Sequence, residues 1–128
     1  MSIAYQPPRS QAPAPAARGW SPVDLLRKVD NDIDLATELV QIFLEDVAEM
    51  SDDICSAARS GDAARLASAA HAYKGSAAAI GADAVASAAC SLEQEGRAGN
   101  CDVEIELAYF LEIESRLIEE LSAATTVC

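Results

Sequence analysis

Between Leu35 and Ile54 the apolar side chains Leu35, Leu39, Ile42, Phe43, Val47, Met50 and Ile54 return at intervals of three and four. An α-helix gathers such a spacing onto one side, whereas a strand would need alternation. The stretch from about Asp34 to Arg59 is therefore expected to be a helix with one face turned to a core. Glu38, Glu45, Glu49 and Asp53 fall largely off the stripe and solvate its outer face. Val40 and Leu44 lie beside the stripe, where they either cover a preceding helix or widen an apolar patch.

The rest of the chain repeats this pattern. Ser21-Pro22 offers an N-cap and a first helical residue for a short helix, about Pro22 to Val29. Asp30-Asn31-Asp32 breaks it and caps the long helix, which Gly61 ends. Asp62 caps a third helix, about Asp62 to Ile80, stopped by Gly81. A fourth, about Ala82 to Arg97, turns Val85, Ala88, Ala89 and Leu92 inward, and Gly96, Gly99 and Asn100 unwind its end. Asp102 caps a fifth, about Val103 to Ala123, whose stripe is Leu107, Phe110, Leu111, Leu117, Ile118 and Leu121. No segment alternates as a strand does. Short connections make neighbouring helices antiparallel. The expected fold is all-α, an antiparallel up-down-up-down four-helix bundle with a short extra N-terminal helix.

Four of the five prolines, Pro7, Pro8, Pro13 and Pro15, fall in residues 1–20, which cannot sustain a helix or a ladder. We expect a flexible Pro/Ala-rich tail over 1–20, one domain over 21–124 and a C-terminal tail over 125–128. Met1 reads as a natural beginning, although a Pro-rich start also suits a linker.

A hydrophobic fraction of 51% with only 5% aromatic residues supplies a core of Ala, Leu, Ile and Val, which suits closely packed helices. The net charge of −12 argues against nucleic acid and against an anionic membrane surface. No run is long enough to span a membrane, and no basic segment precedes an apolar one at the N-terminus. A cytoplasmic location is the default expectation. Cys55, Cys90, Cys101 and Cys128 form no C-x-x-C pair and read as reduced thiols, not a staple or a metal site.

His71 is the one histidine, inside the third helix. At about 100° per residue, Ala64, Ala67, Lys74, Gly75 and Ala78 fall on its side. Leu66, Ala69, Tyr73, Ala77 and Ile80 point away and form the core face. The imidazole should therefore face solvent. Gly75 costs about 0.5–1 kcal/mol relative to Ala in a helix interior, which makes sense if something must come close beside His71. Helix packing is the other reading of Gly75, and its angle near His71 argues against it. Lys74 is either a plain surface lysine or a cation for an anion held on the ring. An imidazole is largely neutral near pH 7 and nucleophilic toward an activated phosphoryl group. The product phosphoramidate can pass that group on. No acid stands three or four residues from His71, so no local general base is evident.

The stretch His71-Ala72-Tyr73-Lys74-Gly75-Ser76-Ala77-Ala78-Ala79-Ile80-Gly81-Ala82 resembles the H-x-x-K-G-S-A-x-x-x-G-A signature of histidine-containing phosphotransfer domains. Leu39 to Asp46 looks like that family's second helix, and the resemblance covers about Pro22 to Ala123. Tyr73 stands where the family often has Leu. The resemblance implies that His71 carries the phosphoryl group, that Lys74 stabilises its charge and that Gly75 gives steric access. It implies partners that are receiver domains of response regulators or hybrid histidine kinases, which bring the aspartate and the Mg²⁺. The chain itself needs no cofactor and holds no metal on this reading.

The expected function is relay of a phosphoryl group between receiver aspartates in a two-component phosphorelay. The chain has neither G-x-x-x-x-G-K-[ST] nor a kinase glycine loop, so we expect a phosphoryl carrier without ATP-dependent kinase activity. Two alternatives stay open: the phosphoacceptor domain of a larger hybrid histidine kinase, and a module that sequesters a receiver without carrying phosphate.

Overall fold

A computed structural model describes residues 19–127, with side chains described through Ala124. The Pro-rich segment up to residue 18 and Cys128 lie outside the described residues. Five helices follow in order: α1 (Pro22–Lys28), α2 (Ile33–Ser60), α3 (Ala63–Ala79), α4 (Asp83–Arg97) and α5 (Glu104–Val127). From α2 onward each helix packs against the next, α5 returns to α2, and α1 lies on α2. The fold is the expected all-helical bundle with a short extra helix at its start.

Local chemistry sets the boundaries. Ser21 Oγ accepts from the Val23 N–H, Asp32 Oδ1 from Leu35 N–H and Asp62 Oδ1 from Arg65 N–H, which caps α1, α2 and α3. Asp30 and Asn31 take left-handed backbone at φ 55° and 62°, and that turns the chain between α1 and α2. Helix α5 begins at Glu104 and runs to Val127, beyond the expected end at Ala123.

Two expectations need correction. On α2 the buried line is Ala36, Val40, Phe43, Val47, Ser51, Ile54 and Ala57. Leu35 and Ile42 are exposed, at 41% and 46%, and Leu39 and Met50 are half-buried. Two adjacent apolar lines run along this helix; the core takes the one containing Val40, which also faces Leu25 and Leu26 of α1 across a shared groove. The other line is left beside α3. The second correction is Gly96, which sits inside α4 instead of unwinding it. A Cβ at Gly96 would come within 2.7 Å of the Ala67 amide nitrogen and 2.8 Å of the Ala63 carbonyl. Glycine thus lets the backbones of α3 and α4 touch.

At the centre, the Tyr73 ring stands edge-on to Phe43 of α2 at 6.0 Å and to Phe110 of α5 at 4.7 Å between centroids. Leu25, Ile54, Leu66, Val85, Leu92, Leu117 and Leu121 are among the other buried side chains of the core.

Candidate functional site

Helix α3 buries Leu66, Ala70, Tyr73 and Ala77 and turns the opposite face outward. His71 lies on that outward face with 63% of its side chain exposed. Gly75 is exposed one turn further on, and a Cβ there would meet nothing within 4 Å. Helix packing therefore does not account for Gly75; the space beside it is open. Ala72, Ala78 and Ala79 are exposed around it, so the whole face is low.

The imidazole does not stand alone. Its Nδ1 lies 3.0 Å from Oε2 of Glu93 on α4. The same oxygen accepts from Arg97 Nε at 3.0 Å and Nη2 at 2.7 Å, and Lys74 Nζ lies 2.7 Å from Oε1. Glu93 is 4% exposed, while His71, Lys74 and Arg97 spread over it toward solvent. Lys74 first, then Arg97, with His71 behind them, hold the Glu93 carboxyl down at about 2. The Lys74 ammonium is pushed up in turn by its bond to Glu93.

Two consequences follow. A carboxylate only accepts, so in the neutral His71 ring the hydrogen belongs on Nδ1 and the lone pair on Nε2. Nε2 makes no hydrogen bond among the described residues. One carboxylate against Lys74 and Arg97 also leaves one unit of positive charge beside the ring, within a chain of net charge −12.

The sequence reading placed Lys74 on the His71 face, and the structure puts it there, bound to a carboxylate. Spacing along α3 reveals no acid near the ring, because the acid comes from α4. A signal existed. Glu93 stands four residues after Ala89 and eight after Val85, on a line of α4 that is otherwise apolar. Arg97, one turn further along, was missed for the same reason.

Beside this cluster, Leu39, Ile42, Phe43, Asp46 and Met50 of α2 meet Ser76, Ala79 and Ile80 in a shallow, mostly apolar pocket. Among the described residues no group of three or more His, Cys, Asp or Glu is placed to hold a metal ion, and no helix is long and apolar enough to cross a membrane. Cys55, Cys90 and Cys101 are free thiols.

The helical bundle thus offers one imidazole outward, backed by a buried carboxylate and flanked by a glycine and two cations. The family model of the Hpt domain matches residues 38–125, and the chain belongs to that family. Membership implies histidine phosphotransfer in two-component systems and interaction with receiver domains. No curated protein and no solved structure matches the chain.

Proposed function

We propose that the protein relays a phosphoryl group between receiver-domain aspartates, carrying it on Nε2 of His71. The observation that carries this reading is the bond from Nδ1 to Glu93, which leaves the opposite nitrogen of an exposed ring free to attack. The Nε2 lone pair forms the N–P bond as the P–O bond to the receiver's aspartate breaks, and that carboxylate leaves with the electron pair. The ring keeps its Nδ1 proton and gains positive charge, which Glu93 balances across 3.0 Å. Lys74 and Arg97 meet the phosphoryl oxygens, and Gly75 leaves room for the partner's loop. The reverse step returns the group to another receiver. The receiver supplies the aspartate and its metal ion.

The partner's apolar surface fits against Leu39, Ile42 and the pocket beside Ser76 and Ala79. The test is incubation with a panel of phosphorylated receivers. Acid-labile, alkali-stable label should appear on the wild type and not on His71→Gln. Equal label on His71→Gln would sink the proposal.

A further inference from the structure

Tyr73 is the largest fully buried side chain and lies two residues from His71, on the core side of α3. Its hydroxyl reaches across the bundle diagonal and donates to Glu114 Oε2 of α5 at 2.8 Å. Oε1 of the same carboxyl accepts from Ser51 Oγ of α2 at 3.1 Å. Glu114 is 8% exposed, and no cation pairs with it among the described residues. A buried carboxyl with no cation is unfavourable, and an apolar side chain would fill this place at less expense. Stability alone does not explain its presence.

The make-up of α3 does. Its core face is Leu66, Ala70, Tyr73 and Ala77. Alanines raise shallow ridges and resist rotation of a helix poorly. Tyr73 is the one large side chain in the middle of that face. A rotation of α3 by about 20° would carry a ring nitrogen about 6 Å from the helix axis sideways by roughly 2 Å. That displacement breaks a bond of 3.0 Å to Glu93. Whatever fixes the rotation of α3 fixes the chemical state of His71.

We propose that Glu114 and Ser51 are positioning residues for the phosphoryl-accepting site: by holding the Tyr73 hydroxyl they set the rotation of α3 and so the register of His71 against Glu93. The proposal rests on the reading of His71 as phosphoacceptor.

Tyr73→Phe tests it, since the ring and both edge contacts remain and only the hydroxyl goes. Three quantities are read: the ring ¹⁵N spectrum of unphosphorylated His71, single-turnover transfer from a phosphorylated receiver, and the melting temperature. We expect the ring to move from the Nδ1–H form toward a mixture of the two tautomers, as Glu93→Gln should also give. Transfer at saturating receiver should slow by about tenfold, with the half-saturating concentration within about twofold of wild type. The amide of Glu114→Gln can accept from Tyr73 and donate to Ser51, so that variant should keep the wild-type spectrum and rate. Tyr73→Phe with a wild-type ring spectrum and rate overturns the proposal, whatever its melting temperature. So does Glu114→Gln as slow as Tyr73→Phe. If the wild type itself takes no phosphoryl group, the functional reading fails, and the ring spectrum still decides the positioning role.

Discussion

Glu93 Oε2 lies 3.0 Å from His71 Nδ1, although the two residues are 22 positions apart and stand on different helices. The bond joins an exposed ring to a carboxylate that is almost wholly buried. It fixes which nitrogen is nucleophilic, and it can be broken without touching His71.

Glu93→Gln removes the charge that balances the ring. Phosphoryl uptake should slow by about 10- to 100-fold, as seen when a partner that orients an imidazole is lost, and single-turnover transfer measures it. The carboxyl is held at about 2 against an ordinary 4.5. A folded-state value below the unfolded one stabilises the protein above the unfolded value and loses that stability as pH falls through the folded one. The stability gap between wild type and Glu93→Gln should therefore be widest near neutrality and shrink between pH 4.5 and about 2. Urea unfolding across that window checks the sign.

Lys74 and Arg97 differ in how they are held, and their loss should differ too. Arg97 is the more exposed, with 65% of its side chain open against 33% for Lys74. Exposed pairs contribute about 0.2–1 kcal/mol, so Arg97→Ala should shorten the life of the phosphorylated protein by no more than about fivefold. Lys74→Ala should shorten it further, because Oε1 of buried Glu93 then loses its ion-pair partner. Decay of acid-labile label over time separates the two.

Gly75 faces open space, so its substitution should separate folding from function. Gly75→Ala should stabilise the protein by about 0.5–1 kcal/mol through helix propensity. Gly75→Gln should fold as well as wild type yet transfer at least about tenfold more slowly, since its side chain stands where a receiver must approach. A fast Gly75→Gln protein would remove the steric role.

Gly96 should behave in the opposite way. Its added Cβ would meet backbone atoms of Ala67 and Ala63, which cannot swing aside. Gly96→Ala should destabilise by about 1–3 kcal/mol and weaken the His71–Glu93 bond by parting α3 from α4. Urea unfolding together with the His71 ring spectrum reads both effects.

Burial pushes the Glu114 carboxyl up, with the hydrogen bonds from Tyr73 and Ser51 opposing it. A raised folded-state value gives stability that is complete below the unfolded pKa and is lost as pH rises through the folded one. Relative to wild type, Glu114→Gln should therefore gain stability as pH rises from 4.5 toward neutrality. A constant difference in urea midpoint across that range would contradict this.

Much of the bundle was legible because spacing on one helix is a local property. The outward face with His71, Lys74 and Gly75 followed from about 100° per residue and from Leu66, Tyr73 and Ala77 opposite it. The α2 stripe was misplaced because Leu35, Leu39 and Ile42 run beside Ala36, Val40 and Phe43, and periodicity cannot say which line a neighbour covers. Residue type does not single out Glu93 or Glu114, because most glutamates lie at the surface. Each interrupts an apolar line, and the reason appears only when a second helix brings His71 or Tyr73 to meet it.

The close seating of α4 on α3 at Gly96 bears on any attempt at redesign. A graft needs at least the helical hairpin from residue 63 to residue 97, with α2 and α5 to hold Tyr73, and not the short motif around the imidazole alone. Grafted without its companion helix, the motif would carry a histidine whose two nitrogens are interchangeable, and an engineer would have to supply a carboxylate from the new scaffold at the same depth and height.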